Sequence, residues 1–391
     1  MLARLAALLA LATPAIPQTT WVVDAANGPG ADFTEVQPAI DASAPGDVVL
    51  VRAGRYEPWS STDVQLSKGI TLRGEGQIEL PGISIQAVPA DECARVLDFD
   101  YWRGVPRLEI LGCLGTVHLQ NVNLPRVTDV AACTDVRLER CTGSRVQNFY
   151  AGQLNISGGS RVLVADCADE SAPLWAAVDD SELLVAASHL RGGDGSPEDF
   201  FCSGVYGWPG DDGLVLTHGA RAFVIDSTVR GGDRGWACVS TNVSAGIAGW
   251  SDGSSSLIAC RTNLVRSGSS QSSFLPGDGR FDDVESLVSL SLAGDFSVGG
   301  DLQFTVRADP GSATYLLLGN EAAVATLAGG LPLLVDPERK LGFGVTPGTG
   351  ERTIGGEVPT VGAGTSFHLQ AVRWQVGEER TFSNAVTLIV R

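Results

Sequence analysis

The segment WPGDDGLVLTHGAR holds the densest group of residues that could carry out acid–base chemistry. Asp211 and Asp212 are adjacent carboxylates, and His218 follows six residues later. Hydrolysis of a glycosidic bond uses two carboxyl groups at a fixed separation, and a histidine titrates near neutral pH. These three residues are therefore the candidate catalytic group. The alternative is structural, because Asp-Asp-Gly is also a turn sequence and His218 also suits a turn between strands.

Two R-G-G-D segments, HLRGGD and TVRGGD, form a second candidate site. If they stack, Arg191 lies over Arg230 and Asp194 over Asp233, which creates a stripe of mixed charge. Arginine binds the carboxylate of a sugar acid through paired hydrogen bonds, and clustered aspartates can coordinate a calcium ion. The alternative is that glycine turns ending in a polar residue simply let a repeating coil turn a corner.

Tryptophans occur near the same segments, among them Trp208 and Trp250. A tryptophan in a groove offers a flat apolar surface on which a sugar ring can stack. We therefore expect Trp208 and Trp250 to bind substrate together with Arg191 and Arg230. Tryptophans that anchor loops by being buried are the alternative.

An internal repeat predicts the elements that position these residues. A window of fourteen residues, LNISGGSRVLVADC in the copy that ends at Cys167, recurs with ends at residues 122, 141, 188, 227 and 262. Each copy has alternating apolar residues from its ninth position, as at Val162 and Val164, which should point the same way. Rungs of about twenty residues, rich in glycine and without helices between strands, are typical of a parallel β-helix. A Greek-key sandwich would not need equivalent residues to recur in sequence order.

The tenth and twelfth positions of each window should face away from the solenoid interior. In the first two copies they are polar and predicted to be solvated: His118, Gln120, Arg137 and Glu139. In the next four copies they are apolar and include Leu163, Leu184, Phe223 and Ile258. An apolar strip of this length needs a cover. We expect the C-terminal domain, or a partner, to pack on it.

The N-terminal region carries a family resemblance. The stretch VVDAANGPGADFTEVQPAIDASAPGDVVLVRAGRYEP (residues 22–58), followed by ITLRGEG, resembles the opening of secreted proteins with the pectin-lyase-like right-handed parallel β-helix. Phe33, Val36 and Ile40 within it have the spacing of a short amphipathic helix, which we expect to cap the solenoid. The resemblance implies the fold over about residues 20–275. It does not imply one activity, since this superfamily includes polysaccharide lyases, hydrolases, esterases and noncatalytic adhesins.

Three segments are therefore predicted in an all-β protein. Residues 1–18 contain Arg4, a short apolar run and small residues, the pattern of a signal peptide. The β-helix occupies residues 19–275. Residues 281–391 lack the repeat, and their alternating strands between Gly and Pro turns predict a small antiparallel β-sandwich. No later stretch is long and apolar enough to span a membrane, so we expect an exported protein that is secreted or held at the cell surface.

Charge and cysteine content narrow the function classes. The net charge of −18 argues against a nucleic-acid partner. Export permits disulfides. Cys141 and Cys167 end adjacent windows, while Cys202 and Cys238 each follow an R-G-G-D segment, so we predict both pairs as disulfides. A ladder of reduced, buried thiols is the alternative.

The sequence favours an exported β-helix protein that binds an extracellular or cell-wall polysaccharide, with catalysis not required. One alternative is a polysaccharide lyase or glycoside hydrolase acting on acidic glycans. Another is a structural surface or adhesion protein. Two carboxylates about 5–9.5 Å apart in a groove, or an arginine beside clustered aspartates, would favour the enzyme. Dispersed carboxylates beside an exposed tryptophan would favour the binding protein.

Overall fold

The computed structural model describes most of the chain between residues 18 and 389. The described ranges are 18–56, 63–101, 107–143, 152–167, 174–194, 211–225, 227–233, 248–260, 262–265, 274–276, 280–283, 288–294, 297–319, 322–325, 333–335, 339–358, 366–374 and 381–389. Residues 1–17 of the predicted signal peptide, Trp208, Cys202 and Cys238 lie outside the described residues. Within these ranges, no helix combines the length and hydrophobicity needed to cross a bilayer.

Two long parallel sheets and one short one form the N-terminal part. Sheet A runs through β1 (Thr20–Val23), β2 (Val48–Arg55), β4 (Thr71–Glu79), β6 (Cys93–Leu97), β9 (Thr116–Gln120), β11 (Asp135–Glu139), β13 (Arg161–Ala165), β15 (Glu182–Ala186), β18 (Arg221–Ile225), β21 (Ser256–Cys260) and β24 (Arg280–Asp283), with β7 (Asp100–Tyr101) beside β4. Sheet B runs through β3 (Val64–Leu66), β5 (Ile83–Gln86), β8 (Leu108–Leu111), β10 (Val127–Ala131), β12 (Gly152–Ser157), β14 (Leu174–Asp179), β17 (Leu214–Thr217), β20 (Gly249–Ser251) and β23 (Phe274–Pro276). Sheet C contains β16 (His189–Arg191), β19 (Thr228–Arg230) and β22 (Asn263–Val265).

The chain order makes this part a β-solenoid-like fold. From β2 to β24 the chain alternates between sheets A and B, apart from β7 and the strands of sheet C, and the strands pair in parallel with the equivalent strands of the neighbouring rungs. The predicted inward positions are confirmed, because Val136, Val162 and Leu183 are register partners in sheet A and are all buried. Each repeat window contains two strands, one in each long sheet. The helix α1 (Val36–Ala42) buries Val36, Ala39 and Ile40 in the same hydrophobic core.

Sharp turns follow the strands of sheet A. In five of these turns a non-glycine residue has left-handed backbone, with φ between 47 and 58°: Asp98, Asn121, Arg140, Asp166 and Ala187. The backbone N–H of each of them donates to a carbonyl of the next rung at 3.0–3.1 Å. Left-handed backbone costs free energy for residues with a Cβ, and this ladder of hydrogen bonds between rungs offsets the cost.

The outer face of sheet A differs from the prediction at its polar positions. His118 and Gln120 are fully buried, and Arg137 and Glu139 are only 1% and 2% exposed. Other protein groups surround them, since Glu139 Oε2 lies 3.4 Å from both His118 Nε2 and Gln120 Nε2, and Arg137 pairs with Asp135 at 3.0 Å. Polar residue type predicts solvation only where a face is open, and this face is enclosed.

The apolar positions of the same face are also buried. Leu163, Leu184 and Phe223 are 3%, 5% and 6% exposed, although none of them belongs to the hydrophobic cluster inside the solenoid. These apolar side chains are therefore shielded from solvent, as an apolar strip of this length requires. That the C-terminal unit provides this cover stays a prediction, and the side chain of Ile258 lies outside the described residues.

The solenoid unit spans Thr19–Asp283, and a second compact unit contains Val284–Arg391. The first unit extends beyond the predicted end at residue 275, because β23 and β24 add a further pair of parallel strands. The second unit has three antiparallel sheets. They are β25 (Ser289–Gly294), β26 (Asp301–Arg307) and β31 (Glu351–Glu357); β30 (Arg339–Val345), β27 (Ala313–Gly319), β32 (Ser366–Trp374) and β33 (Thr381–Ile389); and β28 (Ala322–Ala325) with β29 (Leu333–Val335). The first two of these sheets contribute to one hydrophobic core.

The predicted disulfide between Cys141 and Cys167 is absent, and both residues are free thiols. They do lie in adjacent rungs, and the N–H of Cys141 donates to Sγ of Cys167 at 3.2 Å. Ser188 and Ser227 continue the same ladder, each accepting from the backbone of the preceding rung at 3.1 Å. Side chains at the last position of these windows accept hydrogen bonds from the backbone of the preceding rung. Cys141 and Cys167 therefore match the alternative of reduced, buried thiols.

Candidate functional site

The predicted catalytic residues separate into two assemblies. Asp211 and Asp212 precede strand β17, whereas His218 follows its end. An extended chain advances about 3.3 Å per residue, so roughly 20 Å of chain separates His218 from the two aspartates. The structure places the three residues at opposite ends of β17 and does not bring them together as one group.

The first assembly lies on the outer face of sheet B, which we call the tryptophan face. It comprises the outward-facing residues of β14, β17 and β20 together with the turn residues that follow them: Trp175, Ala177, Asp179, Val215, Thr217, His218, Trp250 and Asp252. Neighbouring positions on these strands, such as Leu216, are buried in the core, so the alternation of the strands directs these residues outward. Trp250 is 37% exposed and is the register partner of Val215.

Polar groups border this aromatic surface. Asp252 follows Trp250 by two residues, which places the two about 7 Å apart along the strand direction. Its Oδ2 accepts the backbone N–H of His218 at 2.6 Å, and its Oδ1 accepts the hydroxyl of Ser254 at 2.9 Å. The neighbouring Ser255 side chain and the His218 N–H hold the pKa of Asp252 well below its ordinary value. This carboxylate is therefore ionised and fixed in place.

His218 and Asp179 form an exposed pair at the edge of the face. Nδ1 of His218 contacts Oδ1 of Asp179, and the same oxygen accepts the Thr217 hydroxyl at 2.7 Å. The hydrogen bond to Asp179 raises the pKa of His218, and the imidazole lowers the pKa of Asp179 in return. The His218 side chain is 78% exposed, so the pair can meet a ligand from solution.

The second assembly is the stripe formed by the R-G-G-D segments. Arg191 and Arg230 are register partners in sheet C, as the repeat predicts. Arg191 donates to Asp194 at 2.7 Å and to Asp233 at 3.2 Å, and Arg230 donates to Asp233 at 3.2 Å. The N–H of Asp233 also donates to Asp194 at 2.8 Å. Two guanidinium and two carboxylate groups thus neutralise one another.

This arrangement does not fit the expected calcium ion. Both carboxylates of Asp194 and Asp233 are directed at guanidinium groups, which a coordinated cation would have to displace. Within the described parts of the chain, no three His, Cys, Asp or Glu side chains come close enough together to hold a metal ion. Ion pairing within the stripe is the role that the geometry supports for these aspartates.

The glycines of the R-G-G-D segments allow the rungs to approach closely. A Cβ on Gly192 would lie 1.9 Å from the carbonyl oxygen of Asp211, and one on Gly232 would lie 1.9 Å from that of Gly193. Asp211 fits between the segments, donating its N–H to Gly193 at 2.9 Å and accepting from Gly232 at 2.8 Å. Burial, with a smaller contribution from Asp212, raises the pKa of Asp211.

The structure thus regroups the sequence-predicted residues. It brings His218 to Asp179 and Asp252 on the tryptophan face, and it brings Asp211 to the R-G-G-D segments of Arg191 and Arg230. Sequence reasoning missed Asp179 and Asp252, although each lies at the end of a window strand that carries a tryptophan, which is a signal it could have used.

Comparisons of the chain with protein-family models, with curated proteins and with solved structures found no match. Function is therefore inferred from the geometry of the two assemblies.

Proposed function

We propose that this protein is an exported solenoid that binds an extracellular polysaccharide on its tryptophan face. One observation carries the proposal: exposed Trp250 shares an open sheet face with the fixed carboxylates Asp179 and Asp252 and with His218. An exposed tryptophan on this face is one of the two features expected of a binding protein, the other being dispersed carboxylates.

Physical chemistry accounts for binding by such a face. A sugar ring has an apolar face that packs on an indole, and a rim of hydroxyls that need hydrogen-bond partners. Trp250 offers the ring surface, and Asp179, Asp252 and His218 offer acceptors and a donor around it. Parallel strands hold these side chains in fixed register, which lowers the ordering cost of binding.

The finer features of the fold belong to the same proposal. We expect the solenoid to be right-handed and pectin-lyase-like, α1 to cap its first rungs, and the second unit to be a β-sandwich. The burial of Val36 and Ile40 in the first rungs supports the cap, and right-handed crossover between parallel strands is the general rule.

A second candidate function is that of a polysaccharide lyase or hydrolase at the R-G-G-D stripe. The observation that favours it is Arg191 beside Asp194 and Asp233, with Asp211 hydrogen bonded to the same segments. A carboxyl group with a raised pKa is suited to donating a proton. In that reaction Asp211 would act as the acid, and an arginine would hold the carboxylate of an acidic sugar.

A polysaccharide panel separates the two functions. The protein is incubated with insoluble and soluble glycans, and retention, new reducing ends and the absorbance of unsaturated products are measured. We expect retention without product formation. Trp250→Ala should abolish retention, whereas Leu114→Ala, which removes a 64% exposed apolar side chain elsewhere, should retain it. Product formation that Asp211→Asn eliminates would instead establish the enzyme.

A further inference from the structure

We infer that the ligand of the tryptophan face is a glycan bearing protonated amino groups. The inference rests on the proposed function and specifies its substrate class. The charge of sheet B's outer face carries it, together with the ionised carboxylates of Asp252, two residues after Trp250, and of Asp179, two strands from Trp250.

Acidic groups dominate the outer face of sheet B. At the described outward positions from β8 to β20 there is no lysine or arginine, whereas Glu109, Asp129 and Asp179 lie on this face. Asp252 adds a further carboxylate in the turn after β20. Arg107 precedes β8 and pairs with Glu109 and Asp129, at 2.8 and 2.7 Å. Near Trp250 the only basic side chain among the described residues of the tryptophan face is His218. The face is therefore negative where the ligand would bind.

Asp179, two strands from Trp250 in sheet B, keeps acceptor capacity for a ligand. Asp179 accepts both Thr217 and His218 through Oδ1, and Oδ2 has no hydrogen-bond partner among the described residues. An ammonium group has three donors and no acceptor, so it suits this oxygen. The pKa of Asp252 is lowered, which agrees with a carboxylate that stays ionised.

Trp250 adds attraction for the same charge. A cation near the face of an indole is attracted by the ring quadrupole, in addition to the stacking of the sugar itself. An amino sugar brings an apolar ring face and a cation together in one unit, so it satisfies both Trp250 and the adjacent carboxylates. A uronic acid brings a carboxylate to the same place and is repelled.

Calorimetric titration with three soluble probes tests the inference: a glucosamine oligomer, the same oligomer fully N-acetylated, and a galacturonic acid oligomer. We expect the glucosamine oligomer to bind about tenfold more tightly than its acetylated form, the effect of one or two charged contacts. This preference should shrink as salt is added, because exposed charges are screened. The galacturonic acid oligomer should not bind.

Matched variants localise the charge effect. Asp179→Asn and Asp252→Asn should each weaken binding of the glucosamine oligomer by a larger factor than binding of the acetylated oligomer, because Asn keeps an acceptor oxygen and removes the charge. Asp301→Asn removes an exposed carboxylate in the other unit and should have no effect. Thermal unfolding of each variant verifies that it is folded.

Two results would overturn the inference. Equal affinity for the acetylated and free amino oligomers, or preference for the galacturonic acid oligomer, would remove the amino-sugar assignment but leave polysaccharide binding in place. If the folded protein binds none of these probes and no glycan of the wider panel, the proposed function fails as well.

Discussion

Substituting Gly192 by alanine tests how the R-G-G-D segments are packed. The added Cβ would lie 1.9 Å from the carbonyl oxygen of Asp211 and 2.8 Å from the nitrogen of Gly232. Both neighbours are backbone atoms held by rung-to-rung hydrogen bonds, so no side chain can rotate away. The rungs themselves would have to separate.

The expected cost follows from this geometry. Inserting a carbon into well-packed surroundings costs about 1–3 kcal/mol. Separating the rungs also weakens the hydrogen bonds that Gly192 donates to Arg230 and Gly232 donates to Asp211, each about 1 kcal/mol. The sum predicts a loss of about 2–4 kcal/mol in the free energy of unfolding, or roughly 5–15 °C in Tm.

Urea denaturation followed by tryptophan fluorescence measures this loss, because seven of the eight tryptophans lie in the solenoid unit and only Trp374 lies in the other. Gly348→Ala is the matched control, since a Cβ there meets no atom within 4 Å, and it should change stability by less than about 0.5 kcal/mol. A Gly192→Ala protein with the unfolding midpoint of the wild type would refute the close-packing explanation of the repeat.

Three further predictions concern the core and two titrating groups. Leu119→Ala should cost about 2–5 kcal/mol because its side chain is fully buried, whereas Leu114→Ala, at a 64% exposed position, should cost almost nothing in the same urea assay; equal effects would contradict the described core. Burial, aided by a neighbouring carboxylate, raises the pKa of Asp166 to about 6. The native state then binds more protons than the unfolded state between about pH 4 and 6, so this group's contribution to stability falls as pH rises through that window. Asp166→Asn should therefore be more stable than the wild type at pH 8, by at most about 3 kcal/mol, and the advantage should vanish near pH 4; a pH-independent difference would refute the assignment. In an NMR titration, Asp179→Asn should lower the pKa of His218, whose raised value comes from that carboxylate; an unchanged titration would show that the pair does not form in solution.

The sequence predicted the solenoid because the same short pattern of residues recurs along the chain, and stacked rungs require such a recurrence. Inward residues such as Val136 and Val162 recur at one window position because each rung must fill the same interior. The stacking of Arg191 on Arg230 followed from the same register. The position of a residue within the repeat was therefore enough to predict which side chains from distant segments lie side by side.

Only the tertiary structure decided which residues share a site. Asp211 and His218 are close in sequence, yet they lie at opposite ends of strand β17. Asp179 and His218 are 39 residues apart, yet adjacent rungs bring them into contact. The sequence also did not predict which outward residues are buried. Arg137 and Glu139 have polar side chains, yet both are buried on the outer face of sheet A. Local pattern determines a strand's register and which of its faces points inward; whether an outward face meets water depends on chain that folds over it from elsewhere.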